Sequence, residues 1–199
     1  MVGLAWRRAF AGVAGLIGLG LGWAVWELAK PGERAARKEE PAPSQLLWRH
    51  SEGFRAVDAW AASVKPNETA DAVEWAHAVI SLSPVVVALF AVRDALVRPF
   101  GLAPATSLVK DAPYTGFPLI DQGSDEVVLG VDDKHLDFRV GIATAGGRVT
   151  VTTMLRLKSA LGQLYWPVVS LFHPWLTRAM LRQAHVPASP PQKDRSNQP

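Results

Sequence analysis

Cysteine does not occur in the 199 residues. Its absence removes disulfides, thiolate metal ligands, cysteine nucleophiles and cysteine lipidation together, and leaves the redox compartment open. Blocks of one charge sign are lacking too. The net charge is +3, and the basic residues are spread along the chain with acids nearby. A pI near 9.4 is therefore mild basicity, not the clustered cationic stripe that a nucleic acid needs, and no nucleic-acid partner is expected. No G-x-S-x-G, P-loop, H-E-x-x-H or EF-hand loop is found, and no G-x-G-x-x-G follows a strand. No internal repeat is present.

Hydrophobic residues, by contrast, make up 49% of the chain, enough for one domain core plus appendages. Eight Trp is a high count. Between Ala9 and Trp26, AFAGVAGLIGLGLGWAVW carries no charge, and Trp6 and Trp26 bracket it. As a helix the two indoles would stand roughly 30 Å apart, one hydrocarbon thickness, with Trp at both interfaces. A cleaved signal peptide is the rival, but Glu27 and Arg34 occupy the −3 positions of the cuts after Ala29 and Ala36. The expectation is an uncleaved, single-pass anchor over residues 1–29 that puts residues 6–26 in a bilayer, at the inner cell membrane. Lys30, Arg34, Arg37 and Lys38 after the span outnumber Arg7 and Arg8 before it. This leans the soluble part to the cytoplasmic side. Gly18 and Gly22 form a GxxxG pair that would let two anchors dimerise, or they simply reflect how common Gly is in such spans.

Residues 30–45 read as a charged, proline-bearing linker, with a helical turn at ERAARKEE (33–40). Residues 187–199 read as a disordered tail. Between them, 46–186 should be the folded unit. A short strand is expected near Gly53–Val57. A helix from about Ala70 to Ile80 should be capped by Thr69. A second helix should be capped by Ser83, start at Pro84 and stop near Pro99, with a long connection over 100–116. Strands are expected at Phe117–Asp121, Asp125–Val131, Lys134–Thr144 and Arg148–Lys158, the last two joined by a Gly146-Gly147 hairpin. Apolar spacing predicts a helix from about Ala160 to Ala184, bent at Pro167 and Pro174. The fold class is α+β: an antiparallel sheet, covered on one side, gripping a long C-terminal helix.

Chemistry-bearing residues concentrate on one strand. His135, Asp137 and Arg139 alternate with Leu136, Phe138, Val140 and Ile142. Asp137 could pair with Arg139 and orient His135 as a base. The apolar set makes a good core face, however, and pushes the charged row outward, where it would be a solvated or ion-paired surface. Ligand contact inside a cavity is the other reading. His173 is either a satisfied helix histidine or a pocket contact. Tyr165 and Trp166 either line a pocket mouth or pack in the core. Asp132 and Asp133 read as turn residues. His135, Asp137 and His173 have metal-ligand chemistry, but HxD recurs by chance and the third ligand is assumed, so no metal is expected.

The blocks RDALVRPFGL, DEVVLGVDDKHLDFRV, VTVTTMLRL and LGQLYWPVVSLFHPWLTRAML, in that order, resemble the bacterial domain-of-unknown-function family 2867. That family is similar to START-like, or SRPBCC, helix-grip domains, and it also occurs behind NAD(P)-binding domains of the short-chain-dehydrogenase kind. The resemblance implies a pocket for a hydrophobic small molecule or lipid between sheet and long helix, with His135, Asp137, Arg139, Tyr165 and His173 as candidate ligand contacts. It implies no cofactor here, because the dinucleotide-binding half is missing. Two alternatives stand beside it: an interaction module at the membrane, and an enzyme built on His135 and Asp137.

Overall fold

The run of β-formers after Phe117 folds as a four-strand meander, and two earlier strands extend it. The computed structural model describes residues 35–40, 45–68, 70–81, 94 and 117–186. Along the chain, these residues form β1 (Arg37–Glu39), α1 (Gln45–Arg49), β2 (Arg55–Ser63), α2 (Ala72–Ile80), β3 (Leu119–Gln122), β4 (Glu126–Asp132), β5 (Leu136–Ala145), β6 (Arg148–Leu157) and α3 (Ala160–Gln183). The strands make one antiparallel sheet in the order β1-β2-β6-β5-β4-β3, so the class is α+β. The expected span over 6–26, the helix from Ser83, the connection 100–116 and the tail 187–199 lie outside the described residues. Among those described, no helix is long and apolar enough to cross a membrane.

Local chemistry sets the turns and caps. Gly146 and Gly147 have φ of 57° and 70°. Two positive φ values suit the turn whose twist matches the strands on either side. Asp71, not Thr69, caps α2. Its side chain accepts from Glu74 N at 2.9 Å, and the Glu74 carboxylate accepts from Asp71 N at 3.0 Å. This reciprocal pair satisfies two free amides at once. α2 then buries Ala72, Trp75, Ala76, Val79 and Ile80, which the i, i+3, i+4 spacing places on one face.

Two sequence expectations are corrected. Within the stretch 33–40, residues 37–39 form a strand, not a helical turn: Arg37, Lys38 and Glu39 pair with Ala61, Trp60 and Ala59. Part of the supposed linker thus belongs to the sheet. The sheet is also covered on both faces. On one, Val127, Leu129, Ile142, Val149 and Val151 pack with Trp75, Val79, Ile80 and Leu181. On the other, Leu47 of α1 packs with Val128 and Met154, joined by Trp48, Phe54 and Ile120. The α1 segment is too short to show periodicity, so the second layer left no mark in the alternation.

β2 carries an irregularity that matters for the site. Its register shifts between Ala56, opposite Met154, and Asp58, opposite Thr153. One extra residue reverses which side chains face which way. Asp58 and Trp60 therefore join the face that α3 covers.

Candidate functional site

Charged clusters lie on both faces of the sheet, and each leaves one buried polar atom without a hydrogen-bond partner, Arg139 Nε on one and Asp58 Oδ1 on the other. On the face under α1, Asp137 is fully buried. Its carboxylate accepts from Arg156 Nη2 at 2.7 Å, Arg156 Nε at 3.0 Å, Lys158 Nζ at 3.0 Å and Asp133 N at 3.0 Å. Four donors saturate the lone pairs of a carboxylate. Arg139, also buried, donates to Asp132 Oδ1 at 2.7 Å and to Phe138 O at 3.0 Å. The Phe54 ring lies 4.9 Å from the Arg139 guanidinium and 4.8 Å from that of Arg156. The hydrogen bond from Arg139 holds the Asp132 carboxyl below the usual carboxylate range. Nearby, Glu126 accepts from Leu46 N and Leu47 N and so ties the start of α1 to β4.

Of the charged row expected to face water, Asp137 and Arg139 are therefore buried and His135 is half-buried. Leu136, Phe138 and Val140, expected as the core, are only half covered. Alternation tells which residues share a face, not which face is deeper. Burial is tolerable here because every charge finds an opposite one, although Arg139 Nε is left without a partner. Asp137 does not orient His135 or pair with Arg139. His135 lies in the β4–β5 turn, and its Nδ1 meets Ser159 Oγ at 3.0 Å. Asp132 is not a mere turn residue but the counter-ion of Arg139. No group of three or more metal-ligating side chains occurs among the described residues.

The second cluster lies on the opposite face, under α3. His173 Nδ1 stands 3.1 Å from Asp58 Oδ2, and Trp60 Nε1 donates to the same oxygen at 3.1 Å. The side chains of His173 and Asp58 are 16% and 6% exposed. Asp58 Oδ1 is buried and has no hydrogen-bond partner. Such an orphan costs about 1–3 kcal/mol and calls for a reason. The Trp166 ring lies 6.2 Å from that of His173, tilted by 56°. Arg178 caps the other side, its guanidinium 5.3 Å from the Trp60 ring. His173 turns Nδ1, not Nε2, toward Asp58. The Tyr165 side chain lies outside the described structure.

The cluster marks a border. Cross-strand pairing sets Val140, Thr153 and Asp58 in one row. On one side of it Ile142, Val151 and Val149 are fully covered; on the other Leu155 is buried as well, while Phe138, Leu136 and Leu157 are half-buried. α3 runs above this border with Pro167 and Pro174 inside it. Each proline removes an amide that would bond a carbonyl four residues earlier, those of Gln163 and Ser170. Sequence reasoning missed Asp58. Its signal was a single acid within RAVDAWAAS, an otherwise nearly apolar strand.

The family model described as protein of unknown function (DUF2867) matches residues 50–180, more than half of the chain. The match takes in both charged clusters and stops short of β1 and α1. No curated protein and no solved structure matches.

Proposed function

This chain belongs to the DUF2867 family, and from its own geometry we propose that it is a membrane-held, START-like domain that takes up an amphiphile between the sheet and α3. The observation that carries this reading is the Asp58–His173 pair, with its unsatisfied oxygen, at the edge of a half-covered apolar sheet face. The apolar body of a lipid or small molecule fits against Phe138, Leu136 and Leu157. A hydroxyl or amine head fits beside His173 and supplies the donor that Asp58 Oδ1 lacks. The order of elements supports a helix-grip fold: a first strand, a helix, a meander whose last strand returns beside the first, then a long helix. The uncharged stretch Ala9–Trp26 supplies the hold on the bilayer, with the soluble part on the cytoplasmic side. Asp137, fully satisfied, serves the fold.

The test is lipid extraction and mass spectrometry of the purified full chain against Asp58→Asn. A hydroxyl- or amine-bearing amphiphile should copurify with the native chain and fall about tenfold in the variant, the loss expected for one hydrogen bond to a charged group. An empty native chain, or equal occupancy in both, refutes the reading.

A further inference from the structure

Among the described large apolar side chains of α3, most are buried or half-buried, but three are exposed. Leu164, Leu171 and Trp175 are 65%, 71% and 49% exposed. Their spacing of seven and four residues puts them in one stripe along the helix. A single exposed leucine needs no explanation; three large apolar groups in line do. The stripe continues into basic residues. Arg178, one turn beyond Trp175, rests one face of its guanidinium against the Trp60 ring and is otherwise exposed; half-buried Arg182 follows, and the 24 residues of α3 include no Asp or Glu.

We propose that the outer face of α3 lies on an anionic lipid surface, with Leu164 and Leu171 entering the acyl boundary, Trp175 at the headgroup level and Arg178 among the phosphates. Leucine and tryptophan on one face with arginine beside them is the composition of an interfacial helix, and indole prefers that depth. Charge selects the occupant: an all-basic helix end draws phosphate and gives an acidic partner's headgroup something to meet. The chain's path brings the bilayer near. α3 packs over β2 and β6, and β2 pairs with β1, the strand that follows the uncharged stretch ending at Trp26. A domain resting on this face would have the half-open end of its sheet close to the lipid that it is proposed to bind. The inference rests on the bilayer placement proposed above, and the experiment separates the two.

The absence of cysteine makes single-site labelling direct. The full chain carrying Leu171→Cys, or Ser124→Cys on the exposed β3–β4 turn as control, is labelled with an environment-sensitive fluorophore. It is then reconstituted into phosphatidylcholine vesicles with and without phosphatidylserine. Flotation reads the anchor; iodide quenching reads the docking. The expected result is flotation of both proteins, with quenching at position 171 slowed at least about threefold relative to position 124 when phosphatidylserine is present, and less so at high salt. Flotation with equal quenching at both positions overturns the docking and leaves the anchor standing. Failure to float overturns both. Protection at 171 that is the same on neutral vesicles and grows with protein density indicates a second copy of the chain on this face, and overturns the lipid assignment.

Discussion

Removing the Asp137 carboxylate should cost the fold far more than removing an ordinary surface acid, and the size can be worked out. Asp137 accepts four hydrogen bonds, three of them from the cations of Arg156 and Lys158. Breaking a buried ion pair typically costs about 3–5 kcal/mol, because a charge is stranded. Here the stranded partners are 41% and 39% exposed at the side chain, so they can turn to water. The discount brings Asp137→Ala to about 2–3 kcal/mol, or about 4–12 °C in Tm for a domain of this size. Asp137→Asn keeps the volume and one acceptor and should cost about half as much. Urea unfolding of each variant, with an unchanged slope as the check on two-state behaviour, measures the loss. Pairing Asp137→Ala with Arg156→Met in a cycle should show coupling above about 0.5 kcal/mol. An alanine variant within about 0.5 kcal/mol of the native chain refutes the reasoning: the network would then be decoration, and its burial would need another cause.

Gly162→Ala should destabilise the chain, even though alanine favours a helix interior by about 1 kcal/mol. A Cβ there would run into the carbonyl oxygen of His135, a backbone atom that cannot step aside; a net loss of about 1–3 kcal/mol in urea unfolding is expected, and a gain would show that the contact relaxes freely. The Asp132 carboxyl, held low by Arg139, should contribute stability that is fully present above the ordinary carboxylate pKa of about 3.9 and is lost as pH falls through its lower folded value. Asp132→Asn should therefore cost at most about 1 kcal/mol at pH 7, since the Asp132 side chain is more than half exposed. That difference should close in strong acid, as equilibrium unfolding at stepped pH will show.

The meander was readable because its strands are long, alternate cleanly and meet at a two-glycine turn. What could not be read is set by contacts distant in sequence. Asp137 is paired because Arg156 and Lys158 come across the β5–β6 hairpin, and Phe54, from before the meander, stacks on the Arg156 guanidinium. None of this alters the local pattern around Asp137. β1 is three charged residues, RKE, whose strand character exists only in its pairing with β2. Asp58 escaped notice because one extra residue in β2 changes the face it joins. Asp71 could have been recognised as the cap of α2: an acid three residues ahead of Glu74 is the reciprocal-cap pattern, and Thr69 distracted from it.

Because β1 joins the sheet at Arg37, the leash between the proposed bilayer anchor and the domain would be short. Eleven chain steps separate Trp26 from Arg37, and at no more than about 3.6 Å each they span less than about 40 Å. Under that proposal, a domain held so closely would search a thin shell of volume just above the headgroups, not the bulk. Within that shell even a feeble affinity of α3 for lipid would act at the high effective concentration of a tethered group, so orientation on the surface would require little binding strength of its own. Lengthening the leash, with β1 left intact, would thin out that concentration without touching a single contact in the fold.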